Sequence, residues 1–246
     1  MTRLRSAVVP ELFLGLLSLA VAAVWIGHIF ASTIHEAKHT ADTISITASA
    51  RKPIGSNLVQ WSLNVDGKAA TPVEAARRAR RASAAVVAFL RGAGVHADAI
   101  SPEVVQSNEI VTRVNKHLTR TTYVVSQNFD VSTSDIDTVQ SAAARVGTLL
   151  EQGIEVSAQP LAFVSTDLEE AKLQALSAAT AEARRRADIL VKGLGGKLGR
   201  MRASSLGVYQ ITPRNSTQVS DYGISDTSSR LKDVTAVVSA TFAVSQ

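Results

Sequence analysis

The sequence predicts an α+β fold: a two-layer sandwich of a mainly antiparallel sheet with helices on one face, preceded by one N-terminal transmembrane helix. Apolar residues alternate with period two along several stretches, which is typical of half-buried strands. Capping sequences open the helical stretches between those strands. An apolar run from Leu12 to Ala31 is long enough to span a bilayer. After that run, the predicted order of elements is ββαββ, then αβα, then ββ.

The N-terminal apolar run predicts a signal anchor in the inner (plasma) membrane. Arg3 and Arg5 precede it and hold the N-terminus in the cytoplasm. A cleaved signal peptide is the alternative, but its apolar region would be unusually long and no small-x-small cleavage site stands out. We therefore expect a single-pass protein whose bulk lies in the periplasm or its equivalent. The expected segments are a cytoplasmic N-terminus (1–11), a transmembrane anchor (12–34), a linker (35–42) and an extracytoplasmic domain (43–246).

The first half of the expected domain contains two hairpins and a helix. Strands are predicted from Thr43 to Ala50 and from Val59 to Val65, because apolar residues alternate with polar ones in both. Thr71-Pro72-Val73-Glu74 predicts a capped helix that ends near Gly92. A second hairpin is predicted from the strands Val104–Val114 and Thr121–Val131.

The second half begins with a helix capped at Ser134-Asp135, whose predicted buried stripe is Ile136, Val139, Ala143, Val146 and Leu150. A strand follows over Ile154–Val164, where Pro160 predicts an edge position or a bulge. The longest helix is predicted from Thr166 to Lys192, and at 1.5 Å per residue it is roughly 40 Å long. We expect one end of it to project or to pack against a neighbouring chain. Strands over Arg202–Thr212 and Val234–Val244 complete the domain.

A polar stretch between these last two strands, Pro213 to Arg230, is the main candidate for function. Loops of this length in compact domains are usually functional or disordered. Asn, Ser, Thr and Asp predict an ordered loop held by side-chain turns, which serves as an assembly or partner contact. Calcium binding is a weaker alternative, since the acidic residues match no known spacing. The candidate interaction residues are Asn215, Ser216, Thr217, Asp221, Tyr222, Gly223 and Asp226.

The first helix carries a candidate basic patch made of Arg77, Arg78, Arg80 and Arg81. Such a patch suits anionic lipid head groups or a polyanion. The alternative is that the arginine stems cover apolar surface while their charged ends stay in water. The net charge of +5 is mildly basic and too diffuse to indicate nucleic-acid binding.

A juxtamembrane motif, His35-Glu36-Ala37-Lys38-His39, matches H-E-x-x-H and makes a zinc-dependent hydrolase the enzymatic alternative. That chemistry needs two imidazoles one helical turn apart with a glutamate as general base. The apolar stripe of a buried active-site helix is missing here, so a solvated linker is the favoured interpretation. The chain has no cysteine, which excludes disulfides and thiolate metal sites.

Other stretches carry a resemblance to a known family. They are the alternating strand Ile44–Ala50, the Gly195–Gly199 end of the long helix, and the block from Val208 to Val238 with Asn215-Ser216-Thr217 and Asp226-Thr227-Ser228-Ser229. Together they resemble the SIMPL-domain (DUF541) family, in its bacterial, envelope-located branch. Ala48 stands where a glycine is common, which is a mild departure. The resemblance implies an α+β fold of ββα modules, a periplasmic or membrane-associated location and a loose link to envelope stress. It implies no shared catalytic residue or cofactor.

The sequence as a whole predicts a membrane-anchored, non-enzymatic binding or assembly module in envelope homeostasis or stress response. We expect a homo-oligomer with an envelope protein as a further partner. No catalytic residue, cofactor or metal is expected. Zinc-dependent hydrolysis and anionic lipid or polyanion binding remain the alternatives.

Overall fold

The structure, a computed structural model, describes residues 42–113 and 119–245. The predicted cytoplasmic N-terminus, transmembrane anchor and zinc motif lie outside these residues. No helix in the described ranges is long and apolar enough to cross a membrane. The helices are α1 (Pro72–Gly92), α2 (Ile136–Arg145), α3 (Gly147–Glu151) and α4 (Leu168–Gly193). The strands are β1 (Thr43–Gly55), β2 (Leu58–Ala69), β3 (Ile100–Pro102), β4 (Gln106–Arg113), β5 (Thr119–Thr133), β6 (Val156–Ala158), β7 (Ala162–Val164), β8 (Lys197–Leu206), β9 (Gln210–Pro213), β10 (Ile224–Ser225) and β11 (Leu231–Ser245).

The mixed α+β class is confirmed, but the strands form two sheets where the sequence predicted one. The five-stranded sheet has the order β1-β11-β9-β10, with β8 also paired to β11. The six-stranded sheet has the order β3-β5-β2-β6, with β4 paired to β5 and β7 to β2. The central strands β11 and β2 do not pair with each other, because each already has strand partners on both edges. β11 pairs with β1, β8 and β9, and β2 pairs with β5, β6 and β7.

The chain divides into two compact units. The described part of the first unit comprises residues 42–49, 180–206 and 238–245. Its core combines small and large side chains: Ala48, Ala183, Ala187, Ala240 and Phe242, with Ile44, Ile46 and Leu198 packed against them. Alanines on the helix let its second half lie close to the strands. β8 and β11 pair antiparallel from Lys197–Ser245 to Leu206–Val238.

The described part of the second unit comprises residues 50–113, 119–179 and 207–237 and holds the larger core. Trp61, Leu63 and Phe129 from β2 and β5 are fully buried there with Val86 and Leu90 of α1. The predicted capping of α1 is present, since the Glu74 N–H donates to Thr71 Oγ1 at 3.4 Å. β2 and β5 pair antiparallel without interruption from Val59–Thr133 to Ala69–Tyr123.

The predicted buried stripe of the second helix is wrong only at its end, since Ala143 and Val146 still pack half-buried against the core. Ala142 and Leu149 are buried, whereas Leu150 is 57% exposed. The helix is interrupted at Val146 and resumes as the short α3. Because the prediction assumed one continuous helix, it selected Leu150 after the break in place of its buried neighbour Leu149.

Two further predicted strands are each divided in the structure. Pro160 separates β6 from β7, and both pair antiparallel with β2. The predicted strand over 202–212 is β8 up to Leu206 and β9 from Gln210, with a break that begins at Gly207. A proline lacks the N–H that a continuous ladder needs, which explains the first division.

The long helix α4 has a buried stripe of small residues with a spacing of four. It consists of Ala171, Ala175, Ala179, Ala183, Ala187 and Val191. These residues are covered by the chain's own structure along the whole helix. This face of α4 is therefore occupied within the chain. The expectation that one end of the helix packs against a neighbouring chain stays a prediction.

Candidate functional site

The polar loop between β9 and β11 is an ordered part of the second unit. It contains β10, which pairs with β9 in parallel through Ile224–Gln210 and Ser225–Ile211. At its end, the Arg230 carbonyl accepts a hydrogen bond of 2.8 Å from the Ser56 N–H. Backbone hydrogen bonds thus hold the middle and the end of the loop.

Gln210 fixes the turn in the centre of the loop. Its side chain is buried, donates from Nε2 to the Ser220 carbonyl at 2.6 Å and accepts from the Ser220 N–H at 3.3 Å. The next turn needs Gly223, whose φ is +83° and whose Cβ, if present, would lie 2.9 Å from the Tyr209 carbonyl oxygen. Together they determine where Tyr222 stands.

Asp226 holds the C-terminal part of the loop. Its carboxylate accepts from the Ser228 N–H at 3.0 Å, from Ser228 Oγ at 2.6 Å and from the Ser229 N–H at 3.2 Å. Partial burial alone would raise the pKa of Asp226, but the hydrogen bonds from Ser228 and Ser229 and the positive charge of Lys232 lower it overall. The carboxylate therefore stays ionised at neutral pH, and its oxygens accept the hydrogen bonds from Ser228 and Ser229.

Asp233 anchors the start of the loop from the adjacent strand β11. Its side chain is buried and accepts from the Asn215 N–H at 3.1 Å. Two arginines approach the same carboxylate, Arg51 Nη1 at 3.5 Å and Arg214 Nε at 3.9 Å. Asn215 has a φ of 65°, a left-handed conformation that asparagine tolerates better than most residues.

Lys232, beside Asp233, is also buried and donates from Nζ to the Phe163 carbonyl at 2.6 Å. Burial lowers the pKa of Lys232, and the charge of Asp226 partly opposes that shift. The sequence does not predict a role for Gln210, Lys232 and Asp233, because polar residues in a strand normally face solvent. Their contacts lie in distant segments and left no local signal.

The candidate loop residues fall into two groups. Asn215, Ser216, Gly223 and Asp226 shape the loop, Ser216 through its Oγ, which accepts from the Gln218 N–H at 3.2 Å. The outward group is Thr217, Asp221 and Tyr222, and Tyr222 is 98% exposed. Val219, which the sequence analysis did not select, is 82% exposed beside them. The site is thus a fixed loop that presents an aromatic and an aliphatic side chain to solvent.

The four arginines of the candidate basic patch on α1 differ in their contacts. Arg77 and Arg78 both pair with Glu74, at 3.0 and 3.4 Å. Arg78 and Arg81 line a cleft of about 330 Å³. Arg80 lines a different groove of about 500 Å³. Within the described ranges, neither Arg80 nor Arg81 forms an ion pair, so these two carry the uncompensated charge of the patch.

The part of the chain that the structure describes contains no candidate metal site. No three His, Asp or Glu side chains there are grouped so that they could hold an ion. His35, Glu36 and His39 fall outside those ranges. Calcium binding was an alternative for the acidic residues of the loop, but Asp226, one of these residues, has both carboxylate oxygens engaged by serines.

A comparison with known protein families gives a match over most of the chain. The model of the SIMPL family, described as a protein of unknown function (DUF541), matches residues 44–242. The chain belongs to the SIMPL family. The match begins in β1 and ends in β11, so it includes the loop and the basic helix, and it confirms the family resemblance. No curated protein matches the chain.

A solved structure with similarity to this SIMPL-family chain is a de novo designed protein, Foldit4. The two share 11% identity, and the match covers 42% of this chain and 93% of the designed one with a TM-score of 0.23. A similarity this low carries no argument about fold or function.

Proposed function

We propose that this SIMPL-family chain is a non-enzymatic binding and assembly module on the extracytoplasmic side of a membrane. In this proposal, residues 12–34 anchor it and the loop 213–230 binds an envelope protein. One observation carries the proposal: Tyr222 is 98% exposed on a loop that Gln210, Asp226 and Asp233 hold in place.

The physical reason is preorganisation. A tyrosine buries roughly 150–250 Å² when it is covered, and its two side-chain torsions cost little entropy to fix. Because the loop is already ordered, binding does not incur the cost of ordering it. Val219 adds an aliphatic contact beside the ring. Such rigid aromatic residues are typical of the positions that dominate protein interfaces.

The loop proposal is tested by replacing Tyr222 with alanine in the full chain. We expect recovery of the partner in a crosslinking pull-down from membranes to fall roughly tenfold or more, as for an interface position worth about 2 kcal/mol. Leu173→Ala is the matched control, because Leu173 is an exposed large side chain on α4 outside the loop. An unchanged partner list for Tyr222→Ala and for a Tyr222→Ala/Val219→Ser double variant would refute the role of the loop.

Anionic lipid or polyanion binding is the second candidate, supported by Arg80 and Arg81, which form no ion pair with any residue that the structure describes. We expect the full chain in detergent to bind a heparin column and to elute with moderate salt. Arg80→Glu with Arg81→Glu should lower the eluting salt concentration more than Arg200→Glu with Arg202→Glu. The control changes the net charge equally at exposed arginines of β8. Equal shifts would indicate only a general charge effect and remove the patch from consideration.

A further inference from the structure

Strand β4 forms an exposed edge of the six-stranded sheet. It pairs with β5 from Gln106–Ser126 to Arg113–Thr119. All of its residues are exposed, and no strand pairs with its outer edge in the described ranges. The edge therefore presents a row of backbone N–H and C=O groups that have no strand partner there.

The outer part of this hairpin extends past the rest of the sheet. β2 leaves β5 at the Ala69–Tyr123 pair, whereas β4 continues from Glu109, opposite Tyr123, to Arg113. Beyond that point the described part of the sheet consists of β4 and β5, and both faces are exposed, with Ile110 50% and Val111 60% exposed. A two-stranded ribbon of this kind is only marginally stable in water. An exposed edge also favours the addition of another strand.

The residues of β4 are complementary to themselves in the antiparallel direction. Glu109, Val111 and Arg113 lie on one face, because every second residue of a strand shares a face. If two copies pair about Val111, Glu109 of each copy lies opposite Arg113 of the other. The two valines then meet at the centre. On the opposite face, Ile110 of each copy meets Thr112 of the other.

Neighbouring registers lose this match. Pairing about Ile110 places Glu109 opposite Val111 and Arg113 opposite Ser107. Pairing about the bond between Ile110 and Val111 places Glu109 opposite Thr112. Opposite charges directly across a ladder stabilise it, and like charges oppose it. Only the register about Val111 forms both Glu–Arg pairs.

We propose that β4 is a self-association edge, through which two copies of this chain join their six-stranded sheets antiparallel about Val111. This inference rests on the assembly part of the proposed function and names a second copy as the partner. It uses neither the loop around Tyr222 nor the arginines of α1. The contact is short, so association is weak in dilute solution and is favoured where tethered copies are concentrated in one plane.

The register is tested by thiol crosslinking in the full chain, which has no cysteine of its own. Val111→Cys places two thiols at the centre of the pairing, so mild oxidation or a short bismaleimide should convert most of the protein to a covalent dimer. Ser107→Cys is the matched control on the same strand. Its two copies would stand eight residues apart, which is about 26 Å at 3.3 Å per residue. Equal dimer yields at both positions would overturn the proposal.

Charge exchange provides the second measurement, made in the Val111→Cys chain. Glu109→Arg and Arg113→Glu should each lower the dimer yield about threefold or more, because like charges then face each other. The double variant exchanges both charges and should restore the yield. A double variant as poor as either single variant would contradict the Glu–Arg pairing. These side chains are exposed, so unchanged thermal unfolding is expected in all three variants.

The proposals for the loop around Tyr222 and for the β4 edge can be refuted independently. Loss of partner capture by Tyr222→Ala with no Val111→Cys dimer would leave the loop proposal standing and remove the β4 edge. A Val111→Cys dimer with unchanged capture by Tyr222→Ala would support the β4 edge and remove the loop.

Discussion

Replacement of Gly67 by alanine is expected to lower the free energy of unfolding by about 3 kcal/mol, the upper end of typical overpacking effects. Gly67 lies in β2 where α1 crosses it. An added Cβ would stand 2.1 Å from the Ala75 carbonyl oxygen and 2.3 Å from the Ala79 nitrogen. Both are backbone atoms of the helix, so no side-chain rotation relieves the overlap. The helix must move away from the strand, which loosens the packing of the buried alanines Ala75 and Ala79.

Denaturant unfolding of the full chain measures this effect. Gly92→Ala is the matched control, because Gly92 lies in α1, the helix that crosses Gly67, and an added Cβ there would meet nothing within 4 Å. That control should be neutral or slightly stabilising, since alanine is the better helix former. Equal midpoints for the two variants would show that α1 and β2 are not in the close contact described above.

Replacement of Asp233 by alanine is expected to lower the free energy of unfolding by about 2 kcal/mol and to release the start of the loop. The Asn215 N–H loses its acceptor, and Arg51 and Arg214 lose their shared carboxylate. The arginines are partly exposed and regain water, so most of the cost comes from the Asn215 N–H. Asp233→Asn keeps an acceptor and should cost less, about 1 kcal/mol.

Hydrogen exchange separates this local release from a general loss of stability. The Asn215 amide should exchange faster in Asp233→Ala than the shift in global unfolding accounts for. Asp221→Ala is the control, because Asp221 is an exposed carboxylate in the same loop, and it should change neither quantity. Unaltered protection of Asn215 in Asp233→Ala would mean that Asp233 does not anchor the loop.

Local signals predicted most elements of this fold correctly. The cap at Thr71 and the one at Asp135, whose carboxylate accepts from the Thr138 N–H at 3.2 Å, depend on residues within one helical turn. The break at Val146 and the division of the strands into two sheets had no such signal. Strand partners are selected between segments far apart in the chain, so a linear pattern does not identify them.

Contacts between distant segments also limited what could be predicted for the loop. Its polar composition correctly predicted serine and aspartate turns, as at Asp226. Which loop residues face inward was not predictable, because Gln210 and Asp233 act from the flanking strands. The ion pair from Arg51 to Asp233 joins residues 182 positions apart. Exposure of Val219 and Tyr222 follows from those anchors together with the turn at Gly223.

The strand β11 has a consequence for how the protein reaches this structure during synthesis. Residues 231–237 belong to the second unit and residues 238–245 to the first. Every other segment of both units leaves the ribosome before this strand does. Until then β1, β8 and β9 lack their shared ladder partner, and their hydrogen-bonding edges stay open. The nascent chain therefore passes through a long aggregation-prone stage, during which a holding chaperone would have the most to protect.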